Sequence, residues 1–487
     1  MDTEVIVVGA GPVGLMLAGE LRLGGARVVV LDRLGSPTTE SRASTLHART
    51  MEVLDQRGLL DALGTVPNRA QGHFGGIPLD LGGLATRFPG LWTVPQARVE
   101  ELLADWALRL GADLRRSHEV TGLTDTGGGV VVRATGPAGP LELTAAYVVG
   151  CDGETSTVRR EAGITLSGTE ATRELLRADV TGIQVADRRF QRLPTGLAIA
   201  GRLPSGATRL MVGEYAAPPG RTAPVTFAEF GKAWQRVTGE DISGGEPVWL
   251  NAFDNASLLA DHYRLGRVLL AGDAAHLQMP SGGQAINLGL QDAVNLGWKL
   301  AAEVSGDAPE GLLDSYDQER RATGRRVLDD VAAQSALLLG TDTDPLRTLL
   351  TGLIDHPGVR DLLAGAVSGL DVRYPSAPGA HPLVGARMPD VALVSTSWPV
   401  TSTELLRSGF GLLLHLPSGS AGSGRRARLR RLTEACARPV AYVPCAPPPA
   451  GGPLDGLDAV LIRPDGHVAW AGPDAEDPGP ALRRWFG

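Results

Sequence analysis

The sequence predicts a mixed α/β fold of three domains, on the basis of three observations. Residues 4–33 read as a buried strand, a glycine turn, a helix and a second buried strand. The turn-rich residues 172–255 predict a β-rich domain inserted between parts of the first domain. A proline- and glycine-rich stretch at 374–389 then separates residues 390–487, whose strand patterns predict a small domain of their own.

Composition and charge exclude several classes of function. The chain has 487 residues, of which 43% are apolar, and this is enough to bury several cores. The formal net charge of −8 argues against a nucleic-acid surface, and the arginine-rich run at 425–431 predicts only a solvated helix face. No apolar run approaches the roughly 20 residues that a membrane span requires.

The cysteine pattern and the N-terminal residues bear on the compartment. Cys151, Cys436 and Cys445 form neither a Cys-x-x-Cys pair nor an even-numbered disulfide framework. The N-terminal residues run directly into a strand and lack the basic segment of a signal peptide. These features predict reduced thiols and a cytoplasmic protein.

The first glycine motif, "GAGPVG", lies between the first strand and the first helix. Gly9 permits a tight turn, Gly11 lets the backbone approach a pyrophosphate, and Gly14 lets the helix pack closely on the strand. Asp32 ends the second strand, where a carboxylate can accept hydrogen bonds from a ribose. The alternative is a glycine turn in an unrelated α/β protein, but the order of strand, turn, helix, strand and acid favours dinucleotide binding.

A second glycine-rich segment, "LLAGDAAHLQMPSGGQAIN", decides between NAD(P) and FAD. Leu269–Ala271 predicts a buried strand that ends at Gly272 and Asp273, where a carboxylate can hold ribityl hydroxyls, which NAD does not have. Pro280–Gly283 lets the backbone pass close to a flat ring. A helix that starts near Ile286–Asn287 offers N–H groups to the pyrimidine edge of a reduced flavin. This segment favours FAD.

Two further patterns predict the surroundings of this segment. Residues 285–369 are mainly helical in pattern, and Leu290, Val294, Gly297 and Ala301 fall on one apolar stripe. Near the C-terminus, "DAVLIRPDGHVAWAG" predicts a β-hairpin around a Pro-Asp-Gly turn.

Three separated motifs carry a resemblance to a known family: "GAGPVG", "CDGETSTVRR" and "GDAAHLQMPSGGQAIN", the last followed by "QDAVNLGWKL" and "LLDSYDQER". With them the chain resembles the FAD-dependent aromatic hydroxylases of the p-hydroxybenzoate hydroxylase fold, and most of all the actinobacterial hydroxylases of angucycline and anthracycline polyketides. The resemblance implies a Rossmann-like FAD-binding domain of the GR2 type, an inserted β-rich substrate domain and a thioredoxin-like C-terminal domain. The expected bounds are 1–72, 101–171 and 256–373 for the FAD-binding domain, 73–100 and 172–255 for the substrate domain, 374–389 for a linker, and 390–487 for the last domain. Because that last domain lacks Cys-x-x-Cys, we expect no thiol redox chemistry in it.

The resemblance also implies a set of FAD-binding residues. Asp152 and Gly153 match a motif that handles both FAD and NAD(P)H, Arg42 and Gln96 match contacts to the pyrophosphate and ribityl regions, and Ala285 departs from a common glycine. The full expected set is Gly9, Gly11, Pro12, Gly14, Asp32, Arg33, Arg42, Gln96, Asp152, Gly153, Gly272, Asp273, Pro280, Gly283, Gln284, Ala285, Ile286 and Asn287.

The expected reaction follows from the same resemblance. NADPH, or NADH, reduces FAD, O2 adds to form a C4a-hydroperoxyflavin, and an aromatic polyketide is hydroxylated during antibiotic biosynthesis. Baeyer–Villiger oxidation and antibiotic inactivation share this machinery, and a non-catalytic FAD-binding scaffold is a more distant alternative. The sequence shows neither a His/Cys metal cluster nor a G-x-S-x-G elbow. A homodimer is compatible with the sequence.

Three residues are candidates for catalysis: Pro280, beside the flavin's reactive carbon, and Arg373 and Tyr374, which could hold a phenol at the flavin face. Surface or structural roles are the alternative for Arg373 and Tyr374. We expect His276 to be a hydrogen-bonded structural histidine and Cys151 to be a small buried filler.

Overall fold

The structure is a computed structural model that describes residues 1–38, 45–203, 205–394, 399–417, 423–473 and 475–487. In chain order its strands are β1 (Thr3–Val8), β2 (Val28–Asp32), β3 (Thr45–His47), β4 (Asn68–Arg69), β5 (Gln71–Phe74), β6 (Ile77–Asp80), β7 (Leu91–Thr93), β8 (Asp113–Arg116), β9 (Glu119–Asp125), β10 (Val130–Gly136), β11 (Gly139–Gly150), β12 (Leu166–Thr169), β13 (Glu174–Thr181), β14 (Arg188–Leu193), β15 (Gly196–Arg202), β16 (Thr208–Glu214), β17 (Glu246–Asp254), β18 (Ser257–Ala260), β19 (Arg264–Leu265), β20 (Val268–Leu270), β21 (His276–Leu277), β22 (Ala392–Val394), β23 (Pro399–Thr401), β24 (Gly411–His415), β25 (Val440–Pro444), β26 (Ala459–Ile462) and β27 (Val468–Gly472).

The helices are α1 (Pro12–Leu23), α2 (Ala48–Gln56), α3 (Leu60–Leu63), α4 (Gln96–Arg109), α5 (Thr157–Glu161), α6 (Phe227–Thr238), α7 (Gln284–Ser305), α8 (Asp314–Leu339), α9 (Asp344–Ile354), α10 (Pro357–Ser368), α11 (Ser402–Leu405), α12 (Ser423–Glu434) and α13 (Gly479–Phe486). The turns Gly272–Ala274, Ser281–Gly283 and Leu406–Ser408 are short 3-10 helices. None of the described helices is both long and apolar enough to cross a membrane.

The main sheet has the strand order β19-β20-β11-β1-β2-β8, and β9 and β10 extend it beside β11. Strands β20, β11, β1, β2 and β8 run parallel. Val5, Ile6 and Val7 of β1 are fully buried, as expected for a sheet covered on both faces. The strand, helix and strand predicted at residues 4–33 are therefore confirmed as β1, α1 and β2.

The predicted β-rich insertion contains a five-stranded antiparallel sheet with the order β14-β15-β16-β13-β17. One of its faces packs on α6 through a core that includes Trp234. On the opposite face, Leu175 packs in a cluster with Met279, Leu288 and Leu338. This second face therefore looks toward the turn before Pro280 and toward α7 and α8.

The C-terminal segment forms a four-stranded sheet with the order β25-β24-β26-β27. The predicted hairpin is confirmed, since β26 and β27 pair antiparallel around the Pro464-Asp465-Gly466 turn. Residues 374–389 do not form a free spacer: the Tyr374 amide donates to the Gly385 carbonyl at 2.9 Å, and a β-bridge joins Arg387 to His467.

Candidate functional site

The loop after β1 is shaped by close packing at two glycines. Gly9 has a φ of +103°, and a Cβ there would lie 2.3 Å from the carbonyl oxygen of Cys151. A Cβ on Gly14 would lie 2.0 Å from the Gly9 oxygen. At Gly11, by contrast, no described atom lies within 4 Å of the Cβ position, and α1 begins at Pro12 without a side-chain cap. The loop thus leaves open space beside the free N–H groups of α1, as an anionic pyrophosphate requires.

Asp32 lies at the carboxyl end of β2, next to this loop. Its carboxylate accepts hydrogen bonds from the Ala10 amide at 2.6 Å and from the Leu34 amide at 2.8 Å. Arg33 is exposed beside it, and Arg116 lies 4.0 Å from the carboxylate. The backbone therefore holds the Asp32 carboxylate in a fixed position beside the glycine loop.

Asp152 follows β11 and organises the start of α5. It accepts hydrogen bonds from the Ser156 hydroxyl at 2.5 Å and from the Thr157 amide at 2.7 Å. Gly153 is left-handed at φ +82°, with open space where a Cβ would be. Arg159 of α5 then donates to the Ala274 carbonyl at 2.9 Å, so it joins this loop to the turn that carries Asp273. Sequence reasoning did not single out Arg159.

The turn after β20 places Asp273 at the same edge of the sheet. Gly272 is left-handed at φ +64°, and its amide donates to Asp292 at 3.2 Å. Asp273 is exposed, whereas Ala274 and Ala275 are fully buried. The chain thus presents one carboxylate outward at the carboxyl end of a parallel strand, where ligands of such sheets bind.

The turn at Pro280–Gly283 enters α7 through two consecutive left-handed glycines. Gly282 has a φ of +63° and Gly283 a φ of +75°, conformations that side chains with a Cβ adopt only with strain. Helix α7 starts at Gln284 without a side-chain cap, so its first N–H groups are available to a ligand. Pro280 precedes this turn with a φ of −73°.

Asn287 ties this turn to the β3–α2 segment through four hydrogen bonds. Its Nδ2 donates to the Gly283 carbonyl at 2.7 Å and to the Thr45 carbonyl at 3.1 Å. Its Oδ1 accepts from the His47 amide at 2.8 Å and from the Thr50 hydroxyl at 2.6 Å. Asn287, which we expect under the flavin edge, therefore also holds the Pro280–Gly283 turn against the β3–α2 segment.

His47 is a site residue that sequence reasoning missed. Its Nε2 lies 2.7 Å from the Gly282 carbonyl oxygen, and because a carbonyl only accepts, Nε2 carries the proton. Burial lowers the pKa of His47 to about 4, so the ring is neutral at pH 7. No motif marks this position, because the contact joins residues far apart in the chain.

Several other expected residues have local roles. The Gln96 amide donates to Glu100 at 2.8 Å at the start of α4, and Gln284 donates to the Val367 carbonyl at 3.1 Å. Ala285 and Ile286 are half-buried in the first turn of α7. Arg42 lies outside the described residues.

Tyr374 and Arg373 lie in different settings. Tyr374 is buried, its hydroxyl accepts from Arg320 at 3.3 Å, and its ring lies 4.3 Å from that of His467. Arg320 in turn donates to Asp292 at 2.7 Å, and Asp292 lies 2.9 Å from His276, which is hydrogen-bonded as expected. Arg373 is exposed and donates to the Val384 carbonyl at 3.2 Å. Among the described residues, no hydrogen bond joins either candidate to the Pro280–Gly283 turn, and their catalytic role stays a prediction.

The face of the five-stranded sheet that faces the Met279 turn carries both aromatic and charged groups. Arg177 of β13 is buried, and its guanidinium lies 4.7 Å from the Trp249 ring centroid and 5.5 Å from that of Phe253. Arg209 makes a two-pronged ion pair with Asp179, with both distances 2.8 Å. Flat apolar walls with a few fixed polar groups are typical of a site for an aromatic molecule.

The arrangement at the sheet edge fits FAD. It brings together two uncapped helix starts, at α1 and α7, and two carboxylates, Asp32 and Asp273, at the ends of parallel strands. One helix start with Asp32 suits an adenosine and pyrophosphate, and the other with Asp273 suits a ribityl chain and flavin edge.

The comparison with known families decides the matter. Residues 2–331 match the family described as "FAD binding domain", and residues 381–487 match "Aromatic-ring hydroxylase, C-terminal". The chain belongs to the FAD-dependent aromatic-ring hydroxylases. FAD is thus the cofactor of this hydroxylase, with NAD(P)H and O2 as co-substrates, and the expected mixed α/β fold with an FAD-binding domain is confirmed.

Named relatives and solved structures span the whole hydroxylase. It is 42% identical to a 12-dehydrotetracycline 5-monooxygenase/anhydrotetracycline 6-monooxygenase of Streptomyces rimosus, covering 100% of this chain and 99% of that protein. It is 39% identical to a rifampicin monooxygenase of Streptomyces venezuelae, covering 99% and 98%. The crystal structure of CabE, an aromatic hydroxylase from angucycline biosynthesis, matches with a TM-score of 0.95 and 49% identity, covering 100% and 99%.

Proposed function

We propose that this hydroxylase uses NADPH to oxygenate a polycyclic aromatic polyketide in antibiotic biosynthesis. The observation that carries the proposal is the sheet face of Arg177, Trp249 and Phe253, which looks toward the Met279 turn of the flavin site. Relatives named for tetracycline and angucycline biosynthesis, similar over the full chain, support this substrate class.

Bound FAD supplies electron transfer and oxygen activation, and the protein positions the flavin and the substrate and excludes water from them. The left-handed turn at Gly282 and Gly283, fixed by Asn287 and His47, holds the backbone where the flavin edge would lie. The apolar cluster of Leu175, Met279 and Leu288 keeps water from the space between the sheet and this turn.

The sheet face of Arg177, Trp249 and Phe253 would orient a flat ring system rather than activate it by proton transfer. Aromatic stacking on Trp249 or Phe253 fixes the plane of the ring, and the Arg177 guanidinium lowers the free energy of an ionised phenol. In this proposal Pro280 lies beside the reacting carbon of the flavin, and Tyr374 positions α8 through Arg320.

Inactivation of an antibiotic by oxygenation is the second candidate. The full-length similarity to a rifampicin monooxygenase is the observation that favours it. It shares the flavin chemistry and differs in whether the substrate is a biosynthetic intermediate or a finished drug. Baeyer–Villiger insertion and a non-catalytic scaffold are the remaining alternatives, and product analysis separates all of these.

The test begins with the visible spectrum of the purified protein and NADPH oxidation in air. Tetracyclic angucyclinones and anthracyclinones, and rifampicin as a finished antibiotic, are supplied one at a time, and products are analysed by mass with labelled O2. Stimulated oxidation with one labelled oxygen atom in a hydroxylated polyketide supports the proposal. Free FAD at equal concentration is the control. A yellow protein whose slow oxidation rate is the same with every aromatic ligand would contradict it.

The proposal places the enzyme in the cytoplasm with reduced thiols, as a homodimer. Burial raises the pKa of the Cys445 thiol to about 11 and that of Cys151 well above its usual value, so neither is a reactive thiolate. Light scattering on the purified protein measures the oligomeric state.

A further inference from the structure

A strained bulge in β14 packs against β5. The register of β14 with β15 shifts between Arg188 and Gln191, and within this bulge Phe190 adopts a left-handed φ of +48°. A bulky residue in that region is strained, and such positions persist where surrounding contacts hold them. The Phe190 ring lies 4.0 Å from that of His73, so the bulge is held against β5.

Because the Phe190 and His73 rings are in contact, the bulge places Arg189 and Arg69 on neighbouring segments of backbone. Arg69 ends β4, just before the strand that carries His73. Partial burial, and then the charge of Arg189, lower the pKa of Arg69, as expected for two guanidinium groups that repel each other. Both side chains are exposed, and the described residues provide neither of them with a carboxylate or another hydrogen-bond partner.

His73 adds a donor to this pair. Its Nδ1 accepts from the Gly76 amide at 3.3 Å, so Nε2 carries the proton. Burial, followed by the charges of Arg69, Arg189 and His47, lowers the pKa of His73 to about 4, and the ring is neutral at pH 7. No described group accepts a hydrogen bond from Nε2. Two positive charges and an N–H donor, with no acidic group nearby, favour the binding of an anion.

We propose that Arg69 and Arg189, with the Nε2–H of His73, bind a phosphate group of the reduced nicotinamide dinucleotide. This inference rests on the proposed function, because it assumes that the dinucleotide reduces the bound flavin. A phosphate offers several charged oxygens to two guanidinium forks, whereas a phenolate offers one oxygen. The arginines are exposed, as a co-substrate that arrives and leaves in every turnover requires. The turn after β5 is joined to the flavin turn, because the Gly75 amide and the Ser281 hydroxyl donate to the same Gln334 oxygen at 3.3 and 3.2 Å.

The test is anaerobic rapid mixing of the FAD-loaded enzyme with NADPH or with NADH, followed through the flavin absorbance. Arg69→Gln, Arg189→Gln and the double variant are compared with wild type. Each single variant is expected to raise the NADPH concentration for half-maximal reduction about ten-fold, since it removes a charge-assisted contact, and to leave the limiting rate unchanged. Arg69→Lys and Arg189→Lys, which keep the charge, are expected to recover part of the loss.

Arg202→Gln is the matched control, because Arg202 is an exposed arginine of the same domain with no ion pair among the described residues. It should leave the NADPH dependence unchanged. FAD content and thermal unfolding confirm that each variant is folded. An effect on NADPH alone assigns the site to the 2′-phosphate, and an equal effect on NADH assigns it to the pyrophosphate; both support the proposal.

Two results would overturn the inference. One is an unchanged NADPH dependence in the double variant. The other is a normal NADPH dependence with weakened binding of the aromatic substrate, which would assign the arginines to an ionised phenol. Failure of the proposed function has a different signature, since wild-type enzyme would then oxidise NADPH at the same slow rate with every aromatic ligand.

Discussion

Arg463 of the C-terminal hairpin and Glu319 of α8 form a two-pronged ion pair with N–O distances of 2.6 and 2.9 Å. Lys299 of α7 donates to the same carboxylate at 2.7 Å, and Asp465 also pairs with Arg463. All four side chains are almost completely buried. Burial raises the pKa of Glu319, but the charges of Arg463 and Lys299 outweigh this and lower it to about 2. The C-terminal hairpin thus supplies partners for charges on the FAD-binding domain.

Arg463→Met is expected to destabilise the whole protein by about 3–5 kcal/mol, because it leaves two buried carboxylates with too few partners. Urea unfolding followed by circular dichroism measures this. Arg428→Met is the control, since Arg428 pairs with Asp477 at 3.0 Å with both side chains about half exposed, and such a pair contributes about 0–1 kcal/mol. Equal small losses in both variants would contradict the prediction.

His47→Ala should weaken FAD binding by about 1–3 kcal/mol, because the half-buried Gly282 carbonyl loses its hydrogen-bond donor at the flavin turn. Titration of apoprotein with FAD, followed by flavin fluorescence, gives the dissociation constant. His262→Ala, at an exposed histidine, should leave that constant unchanged. An unaltered constant in His47→Ala would show that the turn keeps its shape without the imidazole.

The free energy of unfolding should fall as pH drops from about 6.5 to about 4. Burial lowers the pKa of His47, His73 and His467 from 6.5 to about 4 each, so the unfolded chain binds more protons than the folded chain in this window. Stability from these groups is complete above about pH 6.5 and is lost as pH falls through the folded values. Unfolding at pH 7.5 and 5.0 measures the slope, and His467→Asn should reduce it while His262→Asn should not.

Gly282→Ala and Gly352→Ala should shift stability in opposite directions. At Gly282, with φ +63°, an added Cβ imposes a left-handed side-chain conformation that costs about 1–2 kcal/mol. Gly352 is exposed in the last turn of α9 with open space around it, so alanine there should stabilise by about 0.4–1 kcal/mol. Thermal unfolding of the two variants tests the signs, and the first variant should also bind FAD more weakly.

The parts of the site that depend on local backbone shape could be predicted from the sequence. Gly9 and Gly14 are needed because the chain approaches itself within a few residues, or at the next strand of the same sheet. The turn at Gly282 and Gly283 likewise follows from adjacent residues. The need for glycine at these positions can therefore be inferred from the local sequence motif.

The parts that depend on distant partners could not be predicted. The stripe Leu290, Val294, Gly297 and Ala301 suggested that α7 has one buried face, yet Asn295 and Lys299 on its other faces are also buried. They are buried because Glu319 and Asp465 pair with them from other elements. Arg463 and Glu319 are 144 residues apart in the chain, and a periodicity within one helix carries no trace of such a pairing.

The position of Asp465 in the chain also sets an order of events during synthesis. Its backbone oxygen accepts from Arg49 of α2 at 2.9 Å, and its carboxylate lies 3.4 Å from Asn295 of α7. Helices α2 and α7, which hold the flavin turn, therefore gain these contacts only after the ribosome has added Asp465, long after both helices have been made. A nascent chain that stops before this hairpin carries unpaired charges in an unfinished interior and is a substrate for chaperones and proteases. We therefore expect FAD to load late in synthesis, when the polypeptide is nearly complete.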